Sequence, residues 1–322
     1  MTSELSPVGA RLLLQPEFHM EKPGIEAPYR SAGILREMNS QAIPLAMKIG
    51  ISGTSGFIGS HFRDFVAATG DTPVAVVRGA PLPSCDTLVH SAGIAYQTAS
   101  RAELMEANRD LTLRMADEAR KKCVKRLVFV SSIHVLAGHE MQPLTAAMSY
   151  QPTSDYGASK AQAERDLLQV EGIEIVVLRP PLVYGPGAKG SLAALLKACA
   201  SGMPLPFAAV GNRRSMVGVS NLCSALHFLC RAEVAGKIFH IQDAEYSLRR
   251  IITECRQAMG KPPRLFGFPP VALRGMLQIL GKKAIAGQLL GDMLIDDLPL
   301  REAGWQPEST DDMARMAREA LV

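Results

Sequence analysis

"MKIGISGTSGFIGSHF", Met47 to Phe62, is the stretch whose reading decides the fold. Lys48 to Ser52 is apolar enough for a buried strand, and Phe57, Ile58, Phe62, Phe65 and Val66 then recur near helical spacing. Gly53, Gly56 and Gly59 stand at the junction, where glycine ordinarily costs stability. A tight strand-to-helix turn gives each a use. Gly53 takes backbone angles closed to other residues, Gly56 lets a pyrophosphate approach the main chain, and Gly59 lets the helix pack on the strand. The unpaired N–H groups and the dipole of the helix then favour an anion. Ser55, Phe57 and Ile58 lie in the same turn and are candidate contacts to it. A glycine triplet alone is weak; its place between a strand and a helix is what strengthens it.

Outward from this turn the chain alternates strands and helices. "TPVAVVRG" (Thr72 to Gly79), "DTLVHSAG" (Asp86 to Gly93), "RLVFVSS" (Arg126 to Ser132) and "IEIVVLRPP" (Ile173 to Pro181) read as strands. Arg101 to Lys121 reads as one long amphipathic helix, and another opens near Tyr156. Continuous apolar strands alternating with amphipathic helices predict an α/β, doubly wound parallel sheet of the Rossmann type over residues 47–185. Residues 186–322 read as a smaller C-terminal, mainly substrate-binding lobe that partly returns to the core. The first 46 residues hold five prolines and no sustained period, which predicts a disordered extension. Met47 reads as a natural start of translation.

Composition excludes several classes. Hydrophobic residues are 47% and charged residues 20%, with a net charge of only +4, so no nucleic-acid partner is indicated. The basic run "RKKCVKR" (Arg120 to Arg126) reads as the last turn of a helix, where cations complement the dipole. The six cysteines form no C-x-x-C pair and the seven histidines no H-x-x-x-H pair, so no disulfide framework and no metal is expected. No apolar run is long enough to span a membrane, and the N-terminus lacks a signal-peptide pattern. The chain reads as cytoplasmic.

"SDYGASKAQAE" puts Tyr156 and Lys160 one helical turn apart on one face. A free tyrosine, with a pKa near 10, is a poor acid or base at neutral pH, and a nearby ammonium favours its phenolate. Ser132 adds a hydroxyl at the end of a parallel strand, where ligands of such sheets bind.

The glycine triplet, "FVSSIHV", "YGASK" and "RPPLVYGPG", in this order and at these intervals, resemble the extended short-chain dehydrogenase/reductases, the NAD-dependent epimerase/dehydratase family. "VHSAG", "EANRDLT", "GNRRSMVGVSNL" and "AGWQP" extend the likeness to about Gln306. It is similar above all to the bacterial UDP-sugar 4-epimerases and 4-ketoreductases that serve surface-polysaccharide synthesis. The resemblance implies that Tyr156 exchanges a proton with the sugar oxygen, that Lys160 lowers its pKa and holds the nicotinamide ribose, and that Ser132, rather than Ser131, hydrogen-bonds the reacting oxygen. It implies further cofactor contacts at Ser91, Ala92, Gly93, Asn108 and Pro180, and substrate contacts at Ser191 and at Arg214 or its neighbour Arg213, on the nucleotide diphosphate. Dimers through flanking helices are usual in the family, and Arg101–Lys121 and Ala158–Val170 are the candidates for a homodimer.

Two departures qualify the likeness. Only "APLPSC", Ala80 to Cys85, separates the second strand from "DTLVHSAG", where the family has helix, strand and helix. At about 3.3 Å per residue this linker has room to cross back but not for those elements. The absent strand belongs to the sheet edge, so the strand after Thr72 is expected at or near that edge. Arg78 stands near the end of that strand in place of the carboxylate that accepts a ribose 2′-hydroxyl. An arginine suits a 2′-phosphate, so the cofactor is expected to be NADP or NAD with NADP slightly preferred. The alternative of another class is a non-catalytic dinucleotide-binding sensor or assembly protein; the complete set of Ser132, Tyr156 and Lys160 argues against it.

Overall fold

A computed structural model gives the architecture, and it describes residues 46–95, 99–139, 142–281 and 283–321. The proposed N-terminal extension and start site lie outside the described residues, apart from the last two positions. Strand β1 (Lys48–Ser52) runs into helix α1 (Phe57–Ala68), which buries Phe62, Phe65 and Val66. Strands β2 (Thr72–Val76) and β3 (Thr87–His90) follow. A helical run comes next: α2 (Arg101–Met105), one wide π turn (Glu106–Asp110) and α3 (Leu111–Lys121). Strand β4 (Arg126–Val130), a short 3-10 turn (Ile133–Leu136), helix α4 (Asp155–Leu167) and strand β5 (Glu174–Arg179) complete the central layer.

Beyond it lie β6 (Leu182–Tyr184), α5 (Ser191–Ala200), β7 (Arg214–Gly218), α6 (Val219–Leu229), β8 (Ile238–His240) and β9 (Ala244–Tyr246). The chain ends in α7 (Leu248–Ala258), α8 (Pro270–Ile279), α9 (Lys283–Leu290), α10 (Leu298–Glu302) and α11 (Asp312–Glu319).

The main sheet has six strands in the order β2-β1-β3-β4-β5-β8, all parallel. This is the doubly wound fold, with β2 at its edge among the described strands, and Pro73 opposite Ile49 in the ladder. The strand is shorter than its apolar run: it stops at Val76, because Ala80 N–H turns back to the Val77 carbonyl and Gly79 takes a φ of +80°. Ala80 to Cys85 crosses directly to β3, with Leu82 fully buried against α3 and the sheet. Strand β8, far along the chain, closes the other side of the sheet. A second sheet, β6-β7-β9, belongs to the C-terminal half and rests on a separate core of α5, α7 and α11 residues, including Leu196, Ile252 and Met316.

The expected single helix from Arg101 to Lys121 is interrupted by the π turn. Asn108 sits inside it, wholly buried, and the wider turn carries the side chain into the sheet's C-terminal end.

Candidate active site

The glycine turn behaves as its sequence requires. Gly53 has a φ of +76°, and a Cβ there would come within 2.8 Å of the Ala92 nitrogen. A Cβ on Gly59 would overlap the Gly53 carbonyl oxygen, so the start of α1 can lie against the β1 turn only if this residue is glycine. Gly56 is the N-cap of α1 and offers no side chain to its N–H groups. With Ser55 and Gly56 exposed and Phe57 and Ile58 half-buried, the turn presents an uncapped helix N-terminus.

Behind it runs a buried chain of hydrogen bonds with one direction throughout. Ala92 N–H donates to Ser52 Oγ (3.2 Å), Ser52 Oγ pairs with His90 Nδ1 (2.7 Å), and His90 Nε2 pairs with Thr112 Oγ1 (3.0 Å). Thr112 in turn donates to the Asn108 carbonyl at 2.7 Å. That last bond makes Thr112 the acceptor from His90, so the network assigns the proton to Nε2 and leaves Nδ1 to accept from Ser52. Burial, reinforced by the Lys160 charge, pushes the His90 pKa down to about 3 and keeps the ring neutral. The Asn108 side chain bonds both polar groups of Ile94 and Ser159 Oγ, clamping the Ser91–Ile94 turn to α4. Ser91 is itself tied to the Ser52 carbonyl. A Cβ on Gly93 would lie 2.5 Å from Asn108 Oδ1 and 3.6 Å from Lys160 Nζ, so this turn also needs the absence of a side chain.

Three elements bring the proposed acid–base groups together. Ser132 follows β4 and is buried; the Ile133 N–H donates to the Pro180 carbonyl at 3.0 Å and fixes the turn. Ser154 caps α4 by accepting from Gly157 N–H. A Cβ on Gly157 would reach 2.5 Å from the His134 carbonyl oxygen, so this glycine lets α4 press Tyr156 against the Ser132 turn. Surrounding protein raises the Tyr156 phenol above its ordinary pKa, and a hydrogen bond with Ser132 opposes that rise. The expected lowering by Lys160 is not what this arrangement produces. Lys160 Nζ donates to the Val130 carbonyl at 2.9 Å and lies 4.5 Å over the Phe129 ring. Burial lowers its pKa to about 8, with the Glu164 carboxylate working the other way.

Glu164, one turn further along α4, is fully buried against Arg179, with Arg179 Nη2 to Oε2 at 2.6 Å and Ser131 donating to the same carboxylate. This explains the first serine of the pair: it is a buttress, while Ser132 faces the phenol. His134 stands edge-on to Tyr156, ring centroids 6.0 Å apart, and burial together with the Arg214 charge keeps it below its usual pKa. Arg214, at the start of β7, donates from Nη1 to the Gly291 carbonyl. Its neighbour Arg213 faces the other way and pairs with Glu245 at 2.6 Å on the surface. Ser191 is exposed at the first position of α5, after Gly190 with its φ of +70°. Arg78 is exposed beside a groove of 630 Å3 that Arg114, Glu118, Lys121 and Lys122 also line.

The family model described as the NAD dependent epimerase/dehydratase family matches residues 49–241, the span that holds every group named above except Glu245 and Gly291. The chain belongs to that family. Among its relatives, a UDP-glucose 4-epimerase of Vibrio cholerae is 30% identical over 244 residues, 71% of this chain and 74% of the relative. An N-acetyl-alpha-D-glucosaminyl-diphospho-ditrans,octacis-undecaprenol 4-epimerase of Escherichia coli O157:H7 is 25% identical over 239 residues, 70% of this chain and 72% of the relative. RMD from Pseudomonas aeruginosa, solved complexed with NADPH, shares the fold with a TM-score of 0.68 at 21% identity, covering 86% of this chain and 98% of that one.

For this epimerase/dehydratase family member, the turn fits a nicotinamide dinucleotide: Gly56 leaves the N–H groups of α1 without a side-chain cap, and Gly53, Gly59 and Gly93 let the surrounding backbone close tightly around it. Sequence reasoning missed His90, Thr112, Glu164 and His134. The only prior signal was their place inside matched motifs, "VHSAG", "EANRDLT", "YGASKAQAE" and "SSIHV". No helix described is long and apolar enough to cross a membrane.

Proposed function

We propose that this chain is an NAD(P)-dependent oxidoreductase working at C4 of a UDP-sugar, a 4-epimerase or 4-ketoreductase supplying sugars for surface polysaccharide. The observation that carries the reading is the grouping of Ser132, Tyr156 and Lys160 beside the glycine turn and the uncapped N-terminus of α1. When bound, the dinucleotide supplies the hydride exchange at its nicotinamide. Tyr156 exchanges the proton at the sugar oxygen, Ser132 orients that oxygen, and Lys160 meets the ribose and keeps positive charge near the site. Arg214, half-buried and with no carboxylate within pairing distance among the described residues, is suited to the sugar-linked diphosphate. Both curated relatives named above act on such a diphosphate, one on uridine and one on a polyprenol.

Arg78, with Arg114, Lys121 and Lys122 along the same groove, supports NADPH over NADH. The test is parallel incubation with UDP-4-keto-6-deoxy-N-acetylhexosamine plus NADPH, and with UDP-glucose or UDP-N-acetylglucosamine plus NAD, followed by NMR. Reduction or C4 inversion of one of these is expected; no turnover of any, with dinucleotide bound, would move the chain to the sensor class. Arg78→Asp should weaken NADPH far more than NADH in fluorescence titrations, and equal losses would remove Arg78 from the 2′ position.

A further inference from the structure

Helix α8 is fixed to the C-terminal lobe by one stripe: Leu273 is buried in the lobe core and Leu277 packs against it. At 100° per residue the opposite side runs from Val271 through Gly275, Ile279 and Ala272 to Met276 at its flank, all apolar, with the exposed Gln278 and Arg274 along the other border. Val271 is 84% exposed, Ile279 88%, Met276 51%, and Leu280, just past the helix end, 64%. A surface helix whose core stripe is already buried ordinarily shows water a polar face; on this one the polar residues are confined to the Gln278–Arg274 border and the rest is apolar. With Phe266 before it, half of the ten large apolar side chains found exposed among the described residues fall between positions 266 and 280. Single exposed apolar residues are ordinary, whereas a cluster marks an interaction surface.

Charge narrows the partner. From Cys255 to Gly291 the sequence contains no Asp or Glu, although the chain has 31, and it carries Arg256, Lys261, Arg264, Arg274, Lys282 and Lys283. Arg256 is used inside, on the Pro263 and Met203 carbonyls, and Lys261 bonds the Ala200 carbonyl. Arg264 and Arg274 are exposed. Arg274 thus stands at the border of the apolar face, with Arg264 nearby in sequence and no acidic residue in the segment. Apolar side chains flanked by cations are the chemistry of a helix lying in a lipid interface. Ten residues give a length of about 15 Å, half of a hydrocarbon core near 30 Å, so α8 is too short to cross a bilayer.

We propose that α8, with Phe266 and Leu280 at its ends, seats this protein on anionic lipid bilayers, its apolar face at the headgroup–acyl boundary and Arg264 and Arg274 among the lipid phosphates. The inference is independent of the sugar chemistry. It is tested with the full chain by co-sedimentation with vesicles of phosphatidylcholine alone or with phosphatidylglycerol added. Binding to the anionic vesicles is expected, weakening as salt rises. Val271→Glu/Ile279→Glu should lower the partition coefficient about tenfold or more, since it puts carboxylates into the apolar face. Arg274→Glu should lower binding to the anionic vesicles alone. All three positions are exposed, so circular dichroism should be unchanged. Failure of the unaltered chain to sediment with anionic vesicles, or equal sedimentation of the double variant, would overturn the proposal. So would a dimer, seen by light scattering without vesicle binding, that the double variant dissociates; the face would then belong to a second copy.

Discussion

Acidification probes the hydrogen-bonded chain behind the glycine turn. His90 is fully buried and its pKa is held down to about 3, first by burial and then by the Lys160 charge. In the unfolded chain a histidine titrates near 6.5. Between those values the unfolded chain binds a proton that the folded one refuses, so stability falls as pH falls, by about 1.4 kcal/mol per unit. From pH 6.5 to 4 this residue alone removes roughly 3 kcal/mol, a large part of the ~5–15 kcal/mol that holds a typical protein folded. The slope fades as pH rises through 6.5 and is gone about one unit above it. His240, pushed to about 4 mainly by burial, and His134 act in the same direction, so a variant is needed to isolate His90. His90→Gln cannot titrate here. At pH 7 it should cost about 1–3 kcal/mol through the bonds to Ser52 and Thr112. Urea unfolding followed by circular dichroism from pH 7 to 4 should show the two proteins converging as acid is added. Parallel curves would refute a neutral His90 in the native state.

Tyr156→Phe should cut turnover by about two to four orders of magnitude while dinucleotide affinity, read by fluorescence, stays nearly constant; Lys160→Ala should lower both. Gly59→Ala places a methyl on the Gly53 carbonyl, so α1 must shift; a loss of about 1–3 kcal/mol in thermal or urea unfolding and weaker dinucleotide binding are expected. Glu164→Gln strands the Arg179 charge in the core and should cost about 3–5 kcal/mol in urea unfolding, whereas Glu164→Gln/Arg179→Met should recover much of that loss.

Much of this was legible because it is written locally. The glycine turn, the Tyr156–Lys160 spacing and the short Ala80–Cys85 crossing each depend on a few consecutive residues, and the crossing alone pointed to β2 as an edge. What was hidden depends on distant partners. His90 gains its role from Ser52, directly opposite it in the parallel ladder, and from Thr112, 22 residues on. The π turn at Asn108 keeps the apolar rhythm of an α-helix over so short a span, so periodicity passed over it. Strand β2 was read three residues too long because Val77 is apolar, while Gly79 and the Ala80 turn decide the end. Arg213 and Arg214 were both left open, yet neighbours on a strand point to opposite faces, and only Arg214 turns inward.

The direct crossing from β2 to β3 has a consequence for how molecules of this protein meet one another. In a parallel ladder alternate residues bond to alternate sides, and Thr72 N–H reaches the Met47 carbonyl, toward β1. Residue 73 therefore faces the open side of β2, where an N–H would be free to recruit a strand from another molecule. Proline at that position has no N–H to offer. Among the described strands β2 thus starts its outer side without a donor, and Pro73→Val would add one in line with Ala75, making this rim a better template for a strand of another molecule.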